Sequence, residues 1–285
     1  MLQFPFIKMD GTQNDFVIID TRGQEIAPDL SDANLQLLAS RDNNITKGCD
    51  QIAVLETSVN DGADVFMRIF NADGGQVDAC GNVTRCVAWL EARRLNKNHI
   101  DIETNSGLLG CKVDIEAQNV SVNMGHPRLE WQEIPLASSC DTLSLNVGQG
   151  MLQNPAAVNM GNPHAVFFVP DVNVIDFDHN NLGHNLEHNA LFPQRVNVGV
   201  VQLLSNLSIW LRVYERGAGE TLACGTGACA AVVAGVRRGM LQGNKDVSVQ
   251  LKGGELTIRW NVDGDNNVHM AGAVNLQFNG VVDIG

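Results

Sequence analysis

Two cysteines lie in matching local sequences that suit acid–base chemistry. Each is followed by glycine and then by a small polar residue of a type that caps helices, as Cys80-Gly81-Asn82 and Cys224-Gly225-Thr226. An apolar stretch that predicts a helix begins just after each of them, so each thiol should lie beside the free backbone N–H groups of a first helical turn. Those groups and the helix dipole favour negative charge. We therefore expect a lowered thiol pKa and a site for a carboxylate at each position.

The two cysteines belong to an internal repeat. A shift of 144 positions places residues 67–81 on residues 211–225 without a gap, and five of these fifteen positions are identical. The pattern predicts two similar halves, each with a strand, a glycine turn, a Cys-Gly pair and a helix. Two such helix ends could face one ligand from opposite sides. One thiolate would then remove an α-proton while the other thiol supplies a proton to the opposite face, which inverts a stereocentre.

Proton transfer by a thiol needs support from its surroundings. A free cysteine has a pKa of about 8.5, which makes it a weak base for an ordinary α-proton. Each well-placed donor to a developing oxyanion contributes about 2.7–4 kcal/mol, and most in a dry site. We therefore expect a cleft that closes on its substrate.

Composition restricts the compartment and the partners. The chain has 285 residues and a formal net charge of −13, which argues against a nucleic-acid surface and against binding to an anionic membrane. No signal peptide pattern and no 18-residue apolar run are present. The seven cysteines are odd in number and include no CxxC pair, which favours free thiols. We expect a cytoplasmic protein, and we expect Cys49, Cys86, Cys111, Cys140 and Cys229 to act only as small buried residues.

Strand patterns outnumber helical patterns, and the two do not alternate steadily, which favours an α+β fold over a doubly wound parallel sheet. Helices are predicted at residues 32–40, 82–95 and 226–238. Alternating apolar residues predict strands at residues 16–20, 51–57, 64–71, 100–107, 165–169, 198–204, 207–215, 247–251 and 255–260, with a hairpin at 111–125.

Two short motifs suggest other functions. HNLEH at residues 184–188 fits a zinc-protease pattern, but its polar surroundings favour a loop with a short helix. GTGACA at residues 225–230 fits a dinucleotide fingerprint, but the preceding strand should end ten residues too early for that role. We therefore expect neither motif to bind its ligand, a zinc ion for the first and a dinucleotide for the second.

The longer motifs resemble a known family. NADGGQVDACGN at residues 71–82 and ERGAGETLACGTGACA at 215–230 resemble the two active-site motifs of diaminopimelate epimerases. GTQNDFVIID, GCDQIAVL, GNPHAV and FPQRVNVGVVQ follow in the expected order over nearly the whole chain. The family interconverts LL- and meso-diaminopimelate without a cofactor, in lysine and cell-wall synthesis.

The resemblance implies two pseudo-symmetric domains with an active site in the cleft between them. The first would comprise residues 1–124 with a returning C-terminal strand at about 272–285, and the second residues 125–271. Each would wrap a barrel-like sheet around a central helix. The family usually forms homodimers.

The resemblance also implies roles for particular residues. The acid–base thiols would be Cys80 and Cys224, assisted by His164 and Glu215. The α-carboxylate would bind to Gly81, Asn82, Gly225 and Thr226. The distal end of the substrate would be recognised by Asn71, Asn162, Asn197, Glu215 and Arg216, and Asn14 and Gln51 match further binding positions.

Three positions depart from the family pattern. Asp10 stands where the family usually has histidine, and Gln13 and Val83 stand where it usually has glycine. None of these changes a proton-transfer residue, so they bear on substrate preference and rate. A racemase of proline, hydroxyproline or histidine is therefore the alternative within the superfamily. A non-catalytic carboxylate-binding protein would not need two thiols.

Overall fold

The computed structural model describes residues 3–78 and 80–284, which fall into two compact units. The first unit extends to Val122 and resumes at Ala271, and the second is Asn123–Met270. Strands predominate in both units, which confirms the α+β class. The described α-helices are α1 (Asp32–Ala39), α2 (Gly81–Leu95), α3 (Leu182–Glu187) and α4 (Gly225–Arg237).

The first unit is a mixed sheet packed around one helix. Its strands are β1 (Gln3–Gly11), β2 (Asn14–Asp20), β3 (Gln51–Glu56), β4 (Val65–Asn71), β5 (Gln76–Val77), β6 (His99–Thr104), β7 (Gly107–Asp114), β8 (Asn119–Asn123) and, from the end of the chain, β19 (Asn275–Asp283). β19 pairs antiparallel with β1. The order then continues as β1, β2, β3, β4, β6, β7 and β8, in which the β2–β3 and β4–β6 pairs are parallel and the others antiparallel. Helix α2 packs against β1, β2, β6 and β7.

The second unit repeats this arrangement. Its strands are β9 (Gly148–Gln149), β10 (Leu152–Gln153), β11 (Ala156–Asn159), β12 (Pro163–Val169), β13 (Asn197–Ser205), β14 (Ser208–Glu215), β15 (Gly219–Thr221), β16 (Val247–Leu251), β17 (Gly254–Trp260) and β18 (Val268–Ala273). The order β11, β12, β13, β14, β16, β17 alternates antiparallel and parallel pairs as the order β1, β2, β3, β4, β6, β7 does. Helix α4 packs against β11, β12, β13, β14 and β17. The internal repeat in the sequence is therefore a repeat of topology.

Each parallel pair explains one helix. Parallel neighbours need a crossover connection, whereas antiparallel neighbours need only a turn. Helix α1 connects β2 to β3, α2 connects β4 to β6, α3 connects β12 to β13, and α4 connects β14 to β16. The cysteines of the repeat therefore begin the helices that cross between two parallel strands.

Helix α4 is the buried centre of the second unit. Every residue from Gly227 to Gly235 is buried, and this stretch packs against residues of the strands such as Ile209, Leu211 and Ile258. The apolar composition of α4 on all sides predicts this environment. Helix α2 buries polar side chains as well, including Arg85 and Glu91.

The sequence patterns did not predict β1, β11 or β18, and they placed the starts of α2 and α4 one residue late, whereas α1 begins at Asp32 as predicted. β1 includes Pro5 and Lys8, which interrupt an apolar alternation that the burial pattern nonetheless follows. Lys8 is buried because its ammonium donates to Asp15 at 2.6 Å and to the carbonyl of Gly48. The short helix expected near residues 184–188 is confirmed as α3. No described helix is long and apolar enough to cross a membrane.

Substitution in the core of α4 tests this description. Val232 is fully buried, and V232A removes two methyl groups from a close-packed helix surface, so we expect a loss of about 2 kcal/mol in the free energy of unfolding. V174A, at a residue that is 55% exposed, should change it by less than about 0.5 kcal/mol. Urea denaturation measures both. Equal losses for the two variants would contradict the burial of α4.

Candidate active site

The two repeated cysteines are the N-caps of α2 and α4. Both have an extended backbone, with φ −147° and ψ 114° at Cys80 and φ −127° and ψ 107° at Cys224. Each thiol therefore lies at the first turn of its helix, and in α4 the backbone N–H of Gly227 interacts with the Cys224 sulfur. The sequence suggested Asn82 and Thr226 as caps. Each helix begins earlier, at the glycine that follows the cysteine.

The side-chain amides of Asn82 and Asn14 form a hydrogen-bonded pair in the first unit. The Asn82 amide nitrogen donates to Asn14 Oδ1 at 3.3 Å, and the Asn14 amide nitrogen donates to Asp50 Oδ2 at 2.8 Å. Asn82 is 3% exposed and lies in the first turn of α2, and Asn14 begins β2. The structure thus brings two predicted binding residues together near Cys80.

Gln51 and Asn71 form a second pair in the same unit. They lie opposite each other on β3 and β4, and Gln51 Nε2 donates to Asn71 Oδ1 at 2.9 Å. Gln51 Oε1 is buried, and no residue in the described part of the chain donates a hydrogen bond to it. A buried acceptor without a donor is costly. This oxygen is therefore suited to receive a donor from a ligand, such as an ammonium group.

In the second unit, Cys224 lies beside Glu215. Its sulfur is 3.6 Å from Thr226 Oγ1, and Thr221 Oγ1 donates to Glu215 Oε1 at 2.5 Å. Burial raises the pKa of the Cys224 thiol well above its usual value, and the negative charge of Glu215 raises it further. The expectation of a lowered pKa is therefore wrong for Cys224. Desolvation and a neighbouring carboxylate outweigh the helix end, and the thiol is protonated in the resting protein.

A glycine permits this packing at the start of α4. A Cβ atom on Gly227 would lie 3.0 Å from Val213 and 3.2 Å from the sulfur of Cys224. The position that corresponds to it in the repeat is Val83, which is fully buried in α2. The two helix starts are therefore packed differently behind their thiols.

His164 is a neutral, fully buried imidazole. Its Nε2 lies 2.9 Å from Asn162 Oδ1, which requires the Nε2–H tautomer because a carbonyl oxygen only accepts. Burial and then the charge of Arg216 lower the His164 pKa to about 3. Its Nδ1 is buried and has no hydrogen-bond partner among the described residues. His164 can thus accept a hydrogen bond at Nδ1 but is not an acid at neutral pH.

Asn197 connects β12 to the loop that carries Arg216. Its amide nitrogen donates to the carbonyl of Pro163 at 2.9 Å, and its Oδ1 accepts the backbone N–H of Arg216, also at 2.9 Å. The Arg216 guanidinium donates to the carbonyl of Gln194 at 3.0 Å. Asn197 therefore ties β12 to the loop of Arg216, whose charge also acts on His164 in the same strand.

Sequence reasoning missed Glu187, which supports the same loop. Its carboxylate is 2% exposed and accepts the backbone N–H of Gly217 at 2.9 Å. The residue is part of the HNLEH motif, and potential ligand atoms of His184, Glu187 and His188 lie within 4.8 Å of one another. The hydrogen bond to Gly217 gives the glutamate a structural role that the motif does not indicate.

Two departures from the family pattern lie at the β1–β2 turn. Asp10 Oδ2 accepts hydrogen bonds from the side-chain amides of Asn275 and Gln277, both at 2.8 Å. Thr12 and Gln13 form the turn with φ of 60° and 56°. Positive φ is strained for non-glycine residues, so glycine would relieve strain at Gln13. The extra carboxylate of Asp10 thus holds the turn against the last strand.

Comparisons with known proteins agree with the motifs. The sequence profile described as diaminopimelate epimerase matches residues 6–130 and 156–277. A diaminopimelate epimerase of Acidiphilium cryptum is 47% identical over 279 residues, which cover 98% of this chain and 96% of that protein. A diaminopimelate epimerase of Erythrobacter litoralis is 45% identical over 284 residues, which cover 100% of this chain and 99% of that protein.

Solved structures share the fold at low sequence identity. A PhzF-family phenazine biosynthesis protein of Bacillus anthracis has a TM-score of 0.68 and 16% identity, with 100% of both chains covered. A hydroxyproline epimerase from Agrobacterium vitis has a TM-score of 0.65 and 12% identity, with 98% of this chain and 92% of that chain covered. At this identity the likeness concerns the fold alone.

The surroundings of Cys224 yield a testable titration. Because the Glu215 charge raises the thiol pKa, E215Q should move the Cys224 titration to lower pH. Thiolate absorbance at about 240 nm measures this, as the difference between each protein and its C224A counterpart. In the proteins that keep Glu215, the Cys224 midpoint should lie well above the pKa of an ordinary cysteine thiol. E220Q is the matched control, since Glu220 pairs with Arg212 and Lys252. A midpoint that E215Q leaves in place would show that the carboxylate does not act on the thiol.

Proposed function

The chain belongs to the diaminopimelate epimerase family, and we propose that it interconverts LL- and meso-2,6-diaminopimelate by proton transfer at one α-carbon. The observation that carries the proposal is the duplication of Cys80 and Cys224 as N-caps of matching helices. The family profile covers both motifs, and curated relatives with this activity align over nearly their whole length.

The proposed mechanism uses one thiol on each face of the substrate carbon. Cys224 is protonated at rest, so it supplies the proton in the direction in which Cys80 acts as the thiolate base. The reverse direction starts from a protonated Cys80, which takes its proton from solvent, and from a Cys224 that has lost its proton. The neighbouring Glu215 carboxylate is the group that can take up this proton.

The substrate α-carboxylate would bind at the two helix N-termini. The N-terminal turns of α2 and α4, which begin at Gly81 and Gly225, together with the side chains of Asn82 and Thr226, offer donors to an anion. Negative charge that develops on this carboxylate as the α-proton leaves would be stabilised by the same donors. Such stabilisation is largest when water is excluded, so closure around the substrate is part of the proposal.

The distal amino acid end would bind to the remaining polar groups. The guanidinium of Arg216 can pair with a carboxylate, while Glu215 and the unused Oε1 of Gln51 can accept from an ammonium. Asn71 and Asn197 are hydrogen-bonded to Gln51 and to the backbone of Arg216, and Asn162 is hydrogen-bonded to His164. Proline and hydroxyproline have no such second end, which favours diaminopimelate over the alternative substrates. Only the fold is shared with the hydroxyproline epimerase.

Three further parts of the proposal rest on the family resemblance. We propose that the reaction needs neither a metal ion nor pyridoxal phosphate. We also propose a cytoplasmic location and a homodimer.

Stereoisomer analysis tests the activity. Purified protein incubated with LL-diaminopimelate, a chelator and no added cofactor should form the meso isomer, separated by chiral chromatography. C80A and C224A should each lower kcat by about a thousandfold or more, since each removes one of two required proton carriers. C111A is the matched control, because Cys111 is a fully buried thiol elsewhere in the first unit, and should stay within about threefold.

The outcomes separate the proposal from its alternatives. Racemisation of proline, hydroxyproline or histidine without turnover of diaminopimelate would overturn the substrate. Near wild-type turnover by either cysteine variant would overturn the two-thiol mechanism.

A further inference from the structure

Arg85 is the largest side chain that is fully buried in the described chain. It lies one turn after Asn82 in α2. Burial of a guanidinium is costly unless its N–H groups are bonded. Nη1 of Arg85 donates to Asn82 Oδ1 at 3.0 Å, and Nη2 donates to Thr12 Oγ1 at 2.7 Å. The buried cation thus contacts both a predicted substrate-binding residue and the β1–β2 turn.

These bonds are part of a series of side-chain hydrogen bonds in which each residue donates to the next. Arg85 donates to Asn82, Asn82 donates to Asn14, and Asn14 donates to Asp50. A guanidinium can only donate and a carboxylate can only accept. Because Arg85 and Asp50 stand at the two ends of this hydrogen-bond series, only one orientation of the two amides between them makes every contact a hydrogen bond. The orientations of both amides between them are therefore determined by Arg85 and Asp50.

The direction decides what the amides offer to a ligand. An amide nitrogen has two N–H groups, and Asn82 and Asn14 each use one of them within the chain. The second N–H of each has no acceptor among the described residues. A flipped amide would present an oxygen instead, which repels a carboxylate. The observed direction therefore prepares both residues to donate to an anion.

Arg85 and Asp50, at the two ends of the hydrogen-bond series, are held in place by packing and by further hydrogen bonds. A Cβ atom on Gly11 would lie 3.1 Å from the Arg85 guanidinium and 3.3 Å from the Asn82 carbonyl, so the turn before Asn14 packs closely on the arginine. Asp50 accepts from Arg41 at 2.6 Å and from the backbone N–H of Asp15 at 3.0 Å. The hydrogen-bond series is thus fixed at one end by a group that only donates and at the other by a group that only accepts.

We propose that Arg85 and Asp50 are positioning residues that orient the Asn82 and Asn14 amides as donors to the substrate carboxylate. The inference rests on the proposed function for the identity of the carboxylate. The orientation itself is a property of the substrate-free protein.

Kinetics of Arg85 variants test the functional part. R85Q replaces a donor-only group with one that can also accept, so kcat/KM for LL-diaminopimelate should fall about tenfold to a hundredfold. R85K keeps a donor-only cation and should retain more activity than R85Q. R93Q changes an exposed arginine on the same helix and should stay within about twofold.

A double-mutant cycle distinguishes positioning from a general loss of structure. If Arg85 acts through Asn82, R85Q should cost less than threefold in an N82A background. Equal costs in both backgrounds would overturn the proposal. D50N tests the other end of the hydrogen-bond series. The Asp50 side chain is 41% exposed, so we expect this variant to fold. R41Q is the control for the ion pair that D50N also removes. Here too the D50N loss should disappear in an N14A background.

Nuclear magnetic resonance tests the orientation without any turnover. The side-chain N–H signals of Asn82 and Asn14, assigned by their loss in N82A and N14A, should shift in both R85Q and D50N and stay in place in R93Q. Unchanged signals would overturn the inference whatever the activity. Shifted signals in a protein that does not turn over diaminopimelate would support the orientation and refute the proposed function.

Discussion

The burial of the α4 helix is the constraint on which the site in the second unit depends. A helix surrounded by strands along most of its length can present charge and polarity only at its ends. Its N-terminus supplies N–H groups, and the residue that caps it, Cys224, is 5% exposed. The same burial that organises the donors also removes water from the thiol. Desolvation and Glu215 therefore raise its pKa, although the helix end alone would lower it.

A second constraint acts on the asparagines in both units. An asparagine amide has one accepting and one donating end, and its orientation is fixed when its partners have only one role. Asn197 lies between the carbonyl of Pro163, which only accepts, and the backbone N–H of Arg216, which only donates. Asn82 is fixed by Arg85 in the same way. The amides of Asn82 and Asn197 are thus oriented before any ligand binds.

The sequence predicted the elements that are encoded by spacing and apolar composition. The repeat, the helices after each cysteine and the buried centre at α4 follow from spacing and apolar composition. The expectation that Gln51 and Asn71 bind substrate followed only from the family resemblance. These residues lie opposite each other on neighbouring strands, a contact that a single sequence does not specify.

The groups that support the site could not be predicted, because they act across long separations in the chain. Arg85 and Thr12 are 73 residues apart, and Glu187 and Gly217 are 30 apart. From the sequence alone, a buried arginine in a helix cannot be distinguished from an exposed one. The sign of the Cys224 pKa shift was also wrong for this reason, since desolvation depends on neighbours from the whole unit.

The central claim is that two different thiols act on opposite faces of one carbon. The most direct test follows the earliest turnovers of LL-diaminopimelate in heavy water and measures deuterium separately in product and in recovered substrate. Two thiols predict a product that carries one deuteron at the inverted carbon while the recovered substrate remains unlabelled, because the thiol that accepts the substrate proton is not the one that delivers the solvent deuteron. Equal early labelling of substrate and product would show that a single group serves both faces and would contradict the account.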